Sequence, residues 1–316
     1  MGLITALLMQ LGQMLLVIAV APGVTGLVRK MKARLQRRIG PSILQPYRDL
    51  RRLFGKEVVL PQNTSWLFRM APYVIFAATW VATSMVPTFE TGLLFSWSGD
   101  LIAIVAMLGV ARFVLALAAL DTGTSFGGIG ASREVMIASL AEPAMIMITF
   151  IVALIAGSTQ LTTIAVTMTT AGLRVSLAMA LVAMVIVALA ENARIPFDNP
   201  ATHLELTMVH EAMVLEYSGR HLAMIELAGS VRLVLYISLI GCIFFPYGLV
   251  VNDTGLLVHA AALAAYFAKL AVACVLLAML ETSIAKMRVF RIPNLLGIAL
   301  MLGLLGTLLL FVKASM

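Results

Sequence analysis

Five of the chain's 15 acidic residues fall within residues 188–219: Glu191, Asp198, Glu205, Glu211 and Glu216. A carboxylate at or inside a bilayer is costly, so acids at the end of an apolar run point to a proton, ion or substrate route. For any one of them a solvated loop is the alternative. Asn199 and Pro200 read as a helix cap and first helical position, and Gly219 as the end of that helix. Eleven positions apart, Glu205 and Glu216 would differ by about 20° around the helix and share one face. His203 and His210 group roughly opposite. An ordinary amphipathic surface helix has the same pattern, but here the acidic face abuts Glu191 and favours a continuous carboxylate path.

A second set of ionisable residues lies in apolar segments. Glu142 is followed by Pro143, and a proline frees the carbonyl four residues back, here that of Ser139. A kink beside a carboxylate suits a hydrated cavity, although a purely structural kink remains an alternative. Glu134 lies two turns earlier, next to Arg133. Arg112, Arg232 and Lys269 fall near the middle of other apolar runs. Cations there must face protein and carboxylates. Arg112, Arg133, Arg194 and Arg232 are the candidate counter-ions, and Lys269 is a candidate relay because lysine can release its proton.

These side chains need helices to hold them. Hydrophobic residues make up 61% of the 316, charged residues 12%, and mean hydropathy is +1.03. That balance gives an all-α polytopic membrane protein and excludes a soluble core. Long unbroken apolar runs exclude a closed β-barrel. Eight spans are expected, at roughly 3–27, 67–88, 99–120, 135–156, 174–192, 223–246, 257–280 and 294–312. The first reads as a retained helix, since no basic region precedes it.

Flanking basic residues set the orientation. The 28–66 connection holds ten, and Arg133, Arg194, Arg220, Lys286, Arg288 and Arg291 join them on the same side, against Arg174 and Lys313 opposite. The cytoplasmic loops are then 28–66, 121–134, 193–222 and 281–293, within one membrane domain spanning 1–316, and both termini lie outside. The glycine-rich 121–133 segment follows a membrane helix instead of a strand, so it is expected to be a tightly folded loop and not a dinucleotide site. Arg29, Arg37, Arg38, Gln45, Arg48 and Arg51 form a candidate docking surface. The net charge of +7 follows from this bias and calls for no nucleic acid. Cys242 and Cys274 form no C-x-x-C pair, and HEAMV at 210–214 lacks the second histidine of a zinc-protease motif. No metal or cofactor is expected on this chain.

Three motifs resemble the subunit 1 family of respiratory complex I: GPSILQPYRDLRRLFGKE at 40–57, GASREV at 130–135 and AENARIPFD at 190–198. The resemblance runs from about residue 15 to 291. It implies eight membrane helices at the joint between a redox arm and a pumping arm, with an acid-lined channel from the cytoplasmic loops into the membrane. Glu142 and Glu191 match family acids within helices, Arg133, Arg194 and Asp198 match junction-loop residues, and Glu205 and Glu216 match acids of the long loop. There are departures: Val28 stands where complex I members carry a glutamate, GPS runs straight into ILQP, and Ala201 and His203 replace acids.

Those departures resemble the homologous subunit of group 4 membrane-bound [NiFe]-hydrogenases of the formate hydrogenlyase type. The expected function is then a membrane-anchor and ion-coupling subunit of an oxidoreductase complex in the prokaryotic inner membrane, with no catalytic centre of its own. The resemblance implies hydrogenase large and small subunits, iron–sulfur subunits and antiporter-like membrane subunits as partners, with the [NiFe] and iron–sulfur centres on those subunits. A quinone-tunnel subunit of complex I is the alternative, and a free-standing ion transporter a third.

Overall fold

The computed structural model describes residues 3–314 apart from 93, 171, 173, 199–207, 251–254, 286 and 288–290. Among the described residues the α-helices run in the order α1 (Leu3–Leu35), α2 (Gln45–Phe54), α3 (Trp66–Ser84), α4 (Leu101–Asp121), α5 (Ser125–Ala156), α6 (Leu161–Thr170), α7 (Val175–Glu191), α8 (His210–Val214), α9 (Gly219–Ile243), α10 (Leu256–Ser283) and α11 (Ile292–Ala314). Six of them, α1, α4, α5, α9, α10 and α11, are long and apolar enough to cross a membrane. The other two expected spans form α3, of 19 residues, and α7, of 17. Strongly exposed Trp66 and Trp97 lie at opposite ends of the bundle, as rings anchored at the two membrane surfaces would.

Helix α9 is the centre of the bundle. It packs on α1, α2, α3, α6 and α7, and 56% of its apolar window is buried, against 22% for α10 and 28% for α11. The outer faces of α10 and α11 stay apolar and exposed, which suits lipid or neighbouring membrane subunits. One core cluster joins α4, α5, α7, α9 and α11 around Ile148, Met184 and Leu235. A second joins α1, α9 and α10 and includes Val28, which is 1% exposed.

Three sequence expectations change. First, the segment 121–134 is not a folded loop, because α5 starts at Ser125, capped by Thr124, whose hydroxyl accepts from Gly127 N at 3.2 Å. The glycines that suggested a loop serve close packing instead: a Cβ on Gly127 would stand 2.4 Å from the Ala119 carbonyl of α4.

Second, α1 continues eight residues into the expected 28–66 loop and carries Arg29 on helix. The QPY motif then folds α2 back against it. The Tyr47 hydroxyl is inserted into the α1 ladder, accepting from Gly23 N at 3.1 Å and donating to the Ala19 carbonyl. A Cβ on Gly26 would come within 2.2 Å of the Ile43 carbonyl, so only glycine fits this crossing. Buried Pro46 and Leu50 face inward while Arg48, Arg51 and Arg52 are exposed.

Third, the helix expected from Asn199 to Gly219 is not continuous. Residues 199–207, with His203 and Glu205, lie outside the described residues, and beyond them α8 is a single short helix. Gly219 starts α9 instead of ending α8. Its φ is +54°, and a Cβ there would meet the Glu57 carbonyl at 2.3 Å.

Candidate functional site

Three helices bring one arginine and two acids together inside the bundle. Arg112 is in α4, Glu134 in the third turn of α5, and Glu191 is the last residue of α7. Arg112 Nε lies 3.1 Å from Glu134 Oε1, and Nη2 contacts Glu191 Oε1. All three are buried, at 3%, 6% and 7% exposure. Ions of this kind are tolerated inside only when paired. The guanidinium meets the carboxylates as a charge contact and not as an aligned fork, so its nitrogens keep unused hydrogen-bonding capacity. Arg232 of α9 adds a second cation within electrostatic reach of Glu134 and Glu191, and its Nε is buried without a hydrogen-bond partner. Unspent donors of this kind call for water.

Space for water is present beside them. A cavity of about 260 Å³ is lined by Arg112, Phe113, Ala116, Glu134, Val135, Ala138, Ser139 and Glu142. It runs along α5 from the ion pair past Ser139, whose carbonyl Pro143 releases from the helix ladder, to Glu142. The two acids are eight residues apart, about 12 Å along the helix axis. Glu142 is exposed on the flank of the bundle. It leans over α4 where Gly109 leaves room, since a Cβ there would lie 3.6 Å from Glu142 Oε1. The arrangement links a buried charge cluster to a carboxylate on the bundle's side, and a hydrated chain of this sort can pass protons or small cations.

The connection after α7 holds the other candidates. Asp198, 4% exposed, accepts from Val209 N at 3.1 Å and His210 N at 3.2 Å, fixing the start of α8. Arg133 Nη1 donates to the Met208 carbonyl at 2.8 Å. Both therefore hold the 208–210 turn over the charge cluster. His210 lies there too, and burial, with the Arg232 cation, lowers its imidazole well below the usual histidine range. It is neutral at physiological pH. Glu211 is half-buried on α8, and Glu216 is exposed.

Arg194 does not join the Arg112 cluster. It pairs with Glu281 of α10 (3.3 Å), which also binds Lys32 of α1 (3.1 Å). Glu281, 4% exposed, ties three separate segments together and was not among the sequence candidates. Its signal was available: like Glu191, it is a lone acid at the end of an apolar run. Lys269 is also displaced from the carboxylates. It packs beside Gly241 and Cys242 of α9, and among the described residues no acid forms an ion pair with it. The docking candidates Arg29, Arg37, Arg38, Arg48 and Arg51 are all exposed, and Gln45 donates to Asp49 Oδ1 at 3.1 Å. Both cysteines are buried and unpaired, and no group of three metal-ligating side chains converges among the described residues.

Comparison with known proteins places this architecture. A family model described as NADH dehydrogenase matches residues 8–312. Formate hydrogenlyase subunit 4 of Escherichia coli K12 is 34% identical over 287 residues, covering 90% of this chain and 92% of that one. Hydrogenase-4 component C of the same organism is 36% identical over 239 residues, 75% of each chain. NADH-ubiquinone oxidoreductase chain 1 of Arabidopsis thaliana is 30% identical over 230 residues, 70% of this chain and 68% of that one. In fold, a chain of the archaeal membrane-bound sulfane sulfur reductase superposes with a TM-score of 0.81 at 22% identity, over 96% of this chain and 99% of that one. The chain belongs to the NADH dehydrogenase family, and it is a homologue of the multi-pass membrane subunits of hydrogenase and complex I-like oxidoreductase complexes.

Proposed function

We propose that the chain is the membrane anchor and coupling subunit of a hydrogenase-type complex. It binds no redox centre and passes ions through its own carboxylates. The observation that carries the reading is the buried Arg112–Glu134–Glu191 cluster, open through one cavity to Glu142 on the flank of the bundle. Electron transfer in the attached arm would alter the hydration and protonation of this cluster by way of the 208–210 turn. Glu142, on the flank, would exchange protons with an adjoining antiporter-like membrane subunit. The [NiFe] and iron–sulfur centres belong to large, small and iron–sulfur subunits docked on the cytoplasmic side. Val28 favours this reading over a quinone-tunnel subunit: where complex I members carry an acid, it packs in the α1–α9–α10 core.

The exposed arginines of 34–52 form the docking surface. Charge reversal at Arg37, Arg38 and Arg51 should release the soluble redox arm from membranes at least tenfold more readily, and more so at high salt. The measurement is the fraction of redox subunits that sediments with membranes. An arm that stays bound and active would reduce this surface to a topology signal.

The orientation gives a second expectation. Reporter fusions after residues 60, 125 and 216 should report the cytoplasm, and one after 165 the outside. The opposite pattern would overturn the assignment of the docking side.

A further inference from the structure

The half of the bundle away from Glu281 carries a second polar site, reaching from the middle of α10 toward its start. It sits where the segment after α3 meets α9 and α10. A cavity of about 10 Å³ is lined by Pro87, Thr88, Ser238, Gly241, Tyr266 and Lys269, among others. That volume admits about one water, and a water held in protein needs two to four polar partners. The wall supplies them. The Ser238 and Tyr266 hydroxyls are hydrogen-bonded at 2.9 Å. Thr88 is 4% exposed, and its Oγ1 is buried with no partner. Lys269 brings the cation, twelve residues and about 18 Å along α10 from Glu281.

Two residues beyond Thr88 stands Glu90, held in place by backbone pairing of its neighbours with Val250: Val250 N donates to the Phe89 carbonyl at 2.9 Å, and Thr91 N to the Val250 carbonyl at 3.1 Å. Glu90 is 4% exposed, and its Oε2 lies 3.5 Å from His259 Nε2. Neither of those atoms makes a hydrogen bond within the protein. A lysine and three hydroxyls thus meet at one cavity, and a carboxylate–imidazole pair stands beyond it. His259 lies ten residues and about 15 Å along α10 from Lys269, toward the start of that helix. Such groups are retained at membrane depth where protons or ions move.

We propose that Lys269, Tyr266, Ser238 and Thr88 enclose one water and form a proton-release site, with the Glu90–His259 pair as the next acceptor toward the far surface. The Lys269 ammonium gives its proton to the water, and one proton leaves the water by way of the unpartnered Thr88 hydroxyl, two residues from Glu90, toward the carboxylate–imidazole pair. Lysine is left as the neutral amine until a proton arrives from the Arg112 end. An arginine could not serve, since it does not give up its proton. The proposal rests on the coupling reading above and extends it to an exit within the same chain.

The test uses the assembled complex in sealed proteoliposomes, reading proton appearance on the far side together with redox turnover. Lys269→Met and Lys269→Arg should each cut proton release at least tenfold, with turnover on artificial donors within twofold of wild type. Tyr266→Phe, which removes one hydroxyl and keeps the ring, should cut it severalfold. A wild-type complex that moves no protons overturns the coupling reading and this one with it. Proton release that is lost in Glu142→Gln but unchanged in the Lys269 variants overturns this site alone.

If the lysine variants fail to assemble, Tyr266→Phe and the thiol beside the cavity decide. In a Cys274→Ala complex the infrared S–H stretch of Cys242 should convert to S–D within seconds of mixing with D2O. Exchange over hours, as for a dry core thiol, would overturn the hydrated site.

Discussion

Arg112→Met should destabilise the protein by about 3–5 kcal/mol, the usual consequence of removing one partner from a buried ion pair. The substitution leaves Glu134 and Glu191 facing each other without their cation, each less than a tenth exposed. Arg232 is near enough to soften the loss but makes no direct pair with either acid among the described residues. The expected result is a chain that is largely absent from membranes, with residual complex dissociating at markedly lower temperature. Converting both acids as well, as Arg112→Met with Glu134→Gln and Glu191→Gln, removes the uncompensated charges and should restore much of the assembly while leaving ion movement abolished. Quantitative blotting of the complex and its thermal dissociation check this. Wild-type abundance and stability in Arg112→Met alone would mean that the cluster is solvated and not a buried triad.

Glu191→Gln and Glu142→Gln should behave differently from Arg112→Met. Glu191→Gln leaves Arg112 paired with Glu134, and Glu142 takes no part in the triad, so both variants should assemble. Each removes one exchangeable charge at nearly constant shape. Ion movement should fall at least tenfold, while redox turnover with artificial donors stays near wild type. Turnover that depends on coupling should fall with the ion flux. Glu142→Gln tests the flank of the cavity and Glu191→Gln the buried cluster behind it, so a path through both is interrupted by either.

Much of this site was legible in the sequence because an ion inside an apolar run is informative by itself. Glu134, Glu142, Glu191, Arg112 and Arg232 stand out on that ground. Their partners were not legible, since Arg112 meets acids 22 and 79 positions away and only helix packing brings them together. The same limit misplaced Lys269: its depth in α10 was readable, but its rotation toward α9 was not. Glu281 carries the same signal as Glu191, but in the sequence the denser group of acids after α7 outweighs it. Glu90 and His259 lie in or next to connections with little charge, and become a pair only through the contact with Val250. The glycines of 123–130 favoured a loop by propensity, yet close packing of α5 on α4 outweighs that cost. The acidic helix face built on Glu205 falls in the residues outside the described set.

The most direct test of the central claim is ion uptake per redox turnover, measured together in proteoliposomes holding the assembled complex with Glu142→Gln or Glu191→Gln. The account predicts a ratio at least tenfold below wild type in both variants, with the redox arm still turning over on artificial donors. Wild-type ratios in both would contradict it, and would make the Arg112 cluster a structural tie between α4, α5 and α7.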